Sequence, residues 1–237
     1  MKMNFRKYII TSIKHIPGDT VIVNVKPLEG QEVAPHKAGQ YVQIKNPLYE
    51  KPDQLHSFSI ASSPHSLDAL ELCIKVYGRW TTFLSRANKG DILEISPPEG
   101  NFIWDKKYAH AVFMVGGLGI SPIMSMIRYA YEEKDSTNIT LLYGNRTEET
   151  ITYKDEILDI AKEMPHLKVV HILSHLHPED AWSGYRGFIN EHILKNEVDL
   201  TIQPTFFIVG PKLFVNKIMH MLKELGVTEN QIVFERL

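Results

Sequence analysis

Residues 111–133, AVFMVGGLGISPIMSMIRYAYEE, decide the fold of this chain. An apolar run of strand length, AVFMVG, stops at glycines, and an amphipathic stretch follows at once. Ser121 reads as a helix N-cap and Pro122 as the first helical residue. Apolar strand, glycine turn and amphipathic helix form the unit from which helix-covered parallel sheets are built, and the unit recurs to the end of the chain. NITLLYG precedes YKDEILDIAKEM, LKVVHILS precedes INEHILKN, TFFIVG precedes PKLFVNKIMHMLKELG, and IVFERL closes the series. This rhythm predicts an α/β doubly wound parallel sheet over residues 107–237.

Upstream the rhythm is different. KYIITSIKHI, DTVIVNVKP, QYVQIKNP, HSFSIASS, ALELCIKVYG and DILEISPP are short, rich in Val, Ile and Tyr, and divided by Gly, Pro, Asp and Asn. Six such runs predict an all-β antiparallel six-stranded barrel over residues 1–106. One helical piece, TTFLSRANKG, interrupts them, with hydroxyls from Thr81 and Thr82 at its start and a glycine at its end. No internal repeat or low-complexity linker separates the halves, which puts a packed boundary near Lys107.

Composition narrows the function classes. The 237 residues suit two domains, and 43% hydrophobic with 23% charged residues describes a globular protein. A net charge of −2 gives no electrostatic reason to expect nucleic acid or an acidic membrane as partner. The longest apolar runs are too short to span a bilayer, and MKMNFRKYII lacks the pattern of a signal peptide, so the expectation is a cytoplasmic protein with no membrane segment in this chain. The single cysteine, Cys73, can form neither a disulfide nor a thiolate-ligated iron–sulfur cluster within the chain. Any cluster must belong to a separate protein.

Three stretches point to chemistry. Gly116, Gly117 and Gly119 let a ligand approach the backbone between the first strand and helix of the second half, and the helix start offers amides and a positive dipole end to a pyrophosphate. The next strand ends in YGNRTEE, where a dinucleotide fold places its ribose-reading residue. Arg146 there is either the cation for a 2′-phosphate or a solvated arginine paired with Glu148 or Glu149. His171, His175 and His177 in HILSHLH invite a metal site, but His171 falls within a strand and no carboxylate or thiol completes the set, so no metal is expected. Gly184 and Gly187 shape the loop beyond them.

A barrel followed by a nucleotide domain, carrying HSFSIASS, YGRWTTFL, PPEGNF, GGLGISP, FFIVGP and FERL in that order, resembles the ferredoxin–NADP+ reductase superfamily nearly end to end. The resemblance implies FAD in the barrel and NADPH or NADH in the α/β domain. The family triplet reads Arg-x-(Tyr/Phe)-Ser, which places His56 at the flavin pyrophosphate, Phe58 against the isoalloxazine and Ser59 at flavin N5, with Ser57 and Ile60 in the same strand. His56 is similar to the His-Pro-Phe-(Ser/Thr) version of NADPH oxidase and ferric reductase relatives. Gly78 to Thr82, GRWTT, matches the family's Gly-x-x-(Ser/Thr) element that takes the flavin pyrophosphate, with cap hydroxyls from Thr81 and Thr82 and added charge from Arg79, and Lys75 and Tyr77 just before it are further cofactor-binding candidates.

By the same resemblance Gly117, Gly119, Ile120, Ser121, Pro122, Asn145, Arg146, Gly210 and Pro211 bind the nicotinamide nucleotide, and Glu235 joins Ser59 as a catalytic candidate. Val209 replaces a frequent cysteine, and Leu237 stands where an aromatic ring is common. The implied activity is hydride transfer from NAD(P)H to FAD, followed by electron transfer to an acceptor such as a separate iron–sulfur or other redox protein. The alternatives are an electron-transfer subunit of a multi-component complex and a non-catalytic nucleotide-binding regulatory module.

Overall fold

The β-branched and aromatic runs of the first half form strands whose alternate side chains share one interior. The computed structural model describes residues 4–28, 30–104 and 108–237. The expected boundary at residues 106 and 107 lies outside them. Strands β1 (Arg6–Ile16), β2 (Thr20–Pro27), β3 (Tyr41–Lys45), β4 (His56–Ser59), β5 (Leu70–Lys75) and β6 (Ile92–Ile95) make an antiparallel sheet in the order β4-β3-β6-β1-β2-β5. Each of the six runs supplies one strand.

Pairings such as Tyr8 with Leu93 and Val23 with Leu72 direct alternate apolar residues inward. Tyr8, Ile10, Val23, Leu72 and Ile95 are each at most 1% exposed there. A register shift between Ile10 and Ser12 bends β1. The sheet curls until Ile60, just past β4, bridges Leu72 of β5, and the Ala61 amide donates to the Glu71 carbonyl at 2.8 Å. The two edge strands therefore meet.

The helix of this half, α1 (Gly78–Leu84), begins three residues before the predicted Thr81. Gly78, at φ +70°, turns the chain into it, so Thr81 and Thr82 lie inside the helix and do not cap it. Their hydroxyls donate to carbonyls four residues back, Tyr77 and Gly78 respectively.

In the second half β7 (His110–Gly116), β8 (Asn138–Asn145), β9 (Leu167–Leu173), β10 (Tyr185–Arg186), β11 (Thr205–Gly210) and β12 (Ile232–Arg236) form a parallel sheet in the order β10-β9-β8-β7-β11-β12. The two-residue β10 has no periodicity to read and escapes sequence analysis. One sheet face, with Met114, Leu142, Ile172 and Phe206, packs against Ile193 of α4 (Glu191–Glu197) and Ile218 of α5 (Lys212–Glu224). Successive strands run outward from β7 through β8 and β9, then resume on its other side at β11. The order thus reverses between β7 and β11, and in such sheets ligands bind at the carboxyl ends beside the reversal.

Two compact units result: Met1–Trp104 with Ser121–Ala130, and Asp105–Ile120 with Tyr131–Leu237. Most of α2 (Ile120–Glu132) is thereby grouped with the barrel. Among the described residues no helix is long and apolar enough to cross a membrane.

Candidate functional site

In the first unit, β4 and α1 build an aromatic stack. Period-two alternation puts His56, Phe58 and Ile60 on one face of the strand. Ile60 is fully buried in the core. Phe58 and His56 lie against Trp80 of α1, with ring centroids at 5.6 and 4.3 Å and interplanar angles of 24° and 23°. Tyr49 meets the Trp80 edge at 6.5 Å.

Nε2 of His56 and Nε1 of Trp80 are buried without a hydrogen-bond partner among the described residues. Burial lowers the His56 pKa below its ordinary value, so the ring is neutral at pH 7. On the other face of β4, Ser57 is exposed and Ser59 is 7% exposed. Sequence reading assigned no role to Trp80, because a tryptophan inside GRWTT carries no mark of whether it points to core or solvent.

Beside the stack, the start of α1 is free of side-chain caps. Open space surrounds the position a Cβ would take on Gly78, so the first-turn amides are approachable. The Thr81 hydroxyl is engaged twice by Tyr77, accepting from its amide at 2.8 Å and donating to its carbonyl. Tyr77 itself is 74% exposed, Arg79 pairs with Glu50 at 3.1 Å, and the Lys75 ammonium donates to the Gly18 carbonyl.

The helix α2 joins this unit through hydroxyl and guanidinium contacts. Ser121 donates to the Cys73 carbonyl at 3.1 Å, Ser125 to the Ser62 carbonyl at 2.7 Å, and Arg128 to Glu71 at 2.8 Å. Ser121 is therefore not the N-cap predicted for it. A 3-10 turn over Gly117–Gly119 leads directly into the helix at Ile120, which leaves Ser121 and Pro122 inside the first turn and frees the serine hydroxyl for the strand.

In the second unit the glycines sit at the strand-order reversal. Gly117 has φ +53° and nothing within 4 Å of where a side-chain carbon would sit, whereas at Gly119 that carbon would lie 2.4 Å from the Val209 carbonyl oxygen. Gly116 ends β7 and Gly210 ends β11, and the ring of Phe214 lies against both, a packing the glycine pattern alone did not reveal. Glu235 stands opposite Val209 in the β11–β12 pairing, and the Leu237 amide donates to the Gly210 carbonyl at 3.1 Å.

At the end of β8, Asn145 is 8% exposed and its Nδ2 has no hydrogen-bond partner among the described residues. Arg146 is exposed. Glu148, one of the two carboxylates suggested for the arginine, is paired with Lys154. His171 lies in β9 with both ring nitrogens buried, and His175 bonds through Nδ1 to Ser174 at 2.9 Å. Among the described residues no three His, Cys, Asp or Glu side chains are grouped to hold a metal ion.

Comparison with known proteins bears on both units. A family model for an FAD-binding domain matches residues 4–109, and one for an oxidoreductase NAD-binding domain matches residues 113–220. The chain carries an FAD-binding domain followed by an oxidoreductase NAD-binding domain, in the two-domain fold of ferredoxin–NADP+ reductase-like proteins. It is 27% identical over 250 residues to a Na(+)-translocating NADH-quinone reductase subunit of Neisseria meningitidis, covering 87% of this chain and 62% of that protein. It is 30% identical over 215 residues to the phenol hydroxylase P5 protein of Acinetobacter pittii, covering 89% of this chain and 58% of that protein. The chain thus spans about three-fifths of the length of these relatives. The cytochrome b5 reductase domain of Ulva prolifera nitrate reductase superposes with a TM-score of 0.86 at 19% identity, covering 98% of this chain and 97% of that one.

The residues present fit FAD and a nicotinamide dinucleotide. For FAD, a half-buried Phe58 ring, two orphaned ring N–H or N acceptor positions on Trp80 and His56, and an uncapped helix start suit a flat heteroaromatic carrying a pyrophosphate. For NAD(P), the glycine turn at the strand reversal and the orphaned Asn145 amide suit a dinucleotide.

Proposed function

We propose that this protein is an FAD-dependent NAD(P)H reductase that passes electrons to a separate redox protein or small-molecule acceptor. The observation that carries the reading is the succession of an FAD-binding match over residues 4–109 and an NAD-binding match over residues 113–220. Its location would be the cytoplasm, where reduced nicotinamide nucleotides are available and a free thiol such as Cys73 persists.

FAD, when bound, would supply the hydride and electron-transfer chemistry. The chain's own residues orient and shield it. Phe58 gives the ring a face to stack on, Ser59 offers a hydroxyl able to donate or accept as N5 changes protonation, and the first-turn amides after Gly78 take the pyrophosphate. Gly117 and Gly119 admit the nucleotide phosphates close to the backbone, and Arg146 meets the 2′-phosphate, which favours NADPH. Glu235 is the acid beside the nicotinamide in this reading.

The test is direct. Purified protein should show a flavin spectrum, release FAD and not FMN on denaturation, and oxidise NADPH when supplied with ferricyanide, ferric chelates, quinones or candidate iron–sulfur proteins. Protein that stays colourless after incubation with FAD and oxidises neither nucleotide would refute the reading and favour a regulatory module. The relatives named above are a subunit of a quinone reductase and a component called phenol hydroxylase P5. That supports a separate protein acceptor.

A further inference from the structure

The helices of the second half divide between the two units. Helices α3 (Lys154–Glu163), α4 and α5 group with the parallel sheet, whereas Ser121–Ala130 of α2 group with the barrel, although the NAD-binding family match takes in residues 113–220. Along α2 Ile123, Met124, Met126 and Ile127 are fully buried. Ser121, Ser125 and Arg128 interrupt these apolar residues at i, i+4 and i+7, one line along one face. Ser125 is fully buried, and the side chains of Arg128 and its ion-pair partner Glu71 are 17% and 19% exposed. A helix that only needed to pack would bury apolar groups there without desolvating a charge pair.

A serine inside a helix commonly bonds back to its own previous turn. Ser125 donates instead to the Ser62 carbonyl at 2.7 Å, while Nη1 of Arg128 donates to the Ala61 carbonyl at 2.9 Å and to the Glu71 carboxylate at 2.8 Å. These acceptors lie where the chain leaving β4 meets β5, and the ladder is thin there. Strand β4 has four residues and ends at Ser59. Past it, the Ile60 amide donates to the Gln40 carbonyl at 2.9 Å, the Ala61 amide to the Glu71 carbonyl at 2.8 Å, and the Glu71 amide to the Ser62 hydroxyl at 3.1 Å. Neighbouring strands thus hold the amides of Ile60 and Ala61, and α2 holds the carbonyls of Ala61 and Ser62.

We propose that Arg128, with Ser125, is a positioning residue of the flavin site: from α2 it clamps the backbone just past Ser59 and thereby fixes the Ser59 hydroxyl. The inference rests on the reading that Ser59 faces N5 of a bound FAD. A serine hydroxyl stands one rotatable bond from the backbone, so its place follows the backbone. A misplacement of about 1 Å at a reacting centre can cost roughly a hundredfold in rate.

Hydrogen exchange on the FAD-loaded full chain reads the clamp without turnover. In Arg128→Met the Ile60 and Ala61 amides should exchange about tenfold faster than in the wild type, while a core amide such as that of Ile10 changes less than about twofold. No local rise overturns the proposal, and so does an equal rise throughout, because Arg128 would then only stabilise the fold. A double-mutant cycle on single-turnover flavin reduction asks whether the clamp acts through Ser59. If it does, Arg128→Met slows reduction about tenfold by itself but less than about threefold in a Ser59→Ala background. Equal losses in both backgrounds, or none in either, overturn it. Should Arg128→Met fail to fold, Ser125→Ala carries both tests, with a local rise in exchange of about threefold. A chain that binds no FAD refutes the proposed function instead, and exchange on that FAD-free chain still judges the clamp.

Discussion

The helix starts at Gly78 and Ile120 look alike in sequence and are held in different ways. Each follows or contains a glycine with left-handed backbone, Gly78 at φ +70° and Gly117 at φ +53°, and each has open space where a side chain would begin. Each is followed by a hydroxyl residue, Thr81 or Ser121, that is 3% exposed. The Thr81 hydroxyl bonds within its own turn, to Tyr77, while that of Ser121 reaches a strand carbonyl 48 residues earlier. One start is locally self-sufficient and the other depends on tertiary contact. In neither does the hydroxyl cap the first-turn amides, which leaves those amides for a ligand.

The largest effect that would sharpen the contrast is at Trp80, which is 3% exposed and supports α1 from below through its stack with Phe58 and His56. Trp80→Ala should destabilise the protein by about 3–5 kcal/mol, the scale for removing a large aromatic from a core. Urea unfolding followed by circular dichroism measures it. A loss below about 1 kcal/mol would mean that the helix start does not rest on the stack.

A kinetic effect of the next size is expected at Ser59. If its hydroxyl serves the hydride transition state, Ser59→Ala should slow flavin reduction roughly ten- to a hundredfold in single-turnover stopped flow, the scale of one lost positioned donor. Unchanged reduction would remove Ser59 from the chemistry and reduce β4 to a stacking strand.

These expectations show what the sequence could and could not disclose. Strand positions were legible because alternation and strand-to-helix rhythm are local, and the glycines at residues 117 and 119 were legible because so few residue types suit a tight turn. Side-chain destinations were not. Serine before proline, as in Ser121-Pro122, reads as a cap, yet the 3-10 turn over Gly117–Gly119 starts the helix sooner and releases the hydroxyl to Cys73. Trp80 and Phe214 gained their meaning only from residues distant in the chain, His56 and Gly116 respectively. Nothing local in the sequence encodes those meetings.

At Arg146 an effect of about tenfold is expected, which bears on the second helix start, because in the proposed reading a 2′-phosphate contact there would hold the far end of a nucleotide whose pyrophosphate would lie near Gly117. With Glu148 paired to Lys154, the guanidinium is not neutralised by that carboxylate. Arg146→Ala should raise KM for NADPH about tenfold and leave KM for NADH within about twofold, on the scale of one charge-assisted contact. Steady-state titrations with both nucleotides check this, and an equal change for both would show that Arg146 does not read the phosphate.

The smallest effects separate the two hydroxyls. Thr81→Val keeps the shape of the side chain but strips the Tyr77 amide of the acceptor it uses at 2.8 Å, so a donor in a part-buried turn is orphaned. An orphaned donor costs about 1–1.5 kcal/mol. Ser121→Ala removes a donor from a carbonyl, which has a second lone pair, and should cost about 0.5–1 kcal/mol. The more telling readout is FAD affinity. Loss of the Thr81 bonds loosens the turn that aims the first amides of α1, so Thr81→Val should weaken FAD binding severalfold in a fluorescence titration. Ser121 lies on a different helix, and its alanine variant should retain FAD as the wild type does. If Ser121→Ala instead sheds FAD more readily than Thr81→Val, then the start of α1 is not self-sufficient, and the carbonyl of Cys73 on β5 matters more to the flavin than the turn at Gly78.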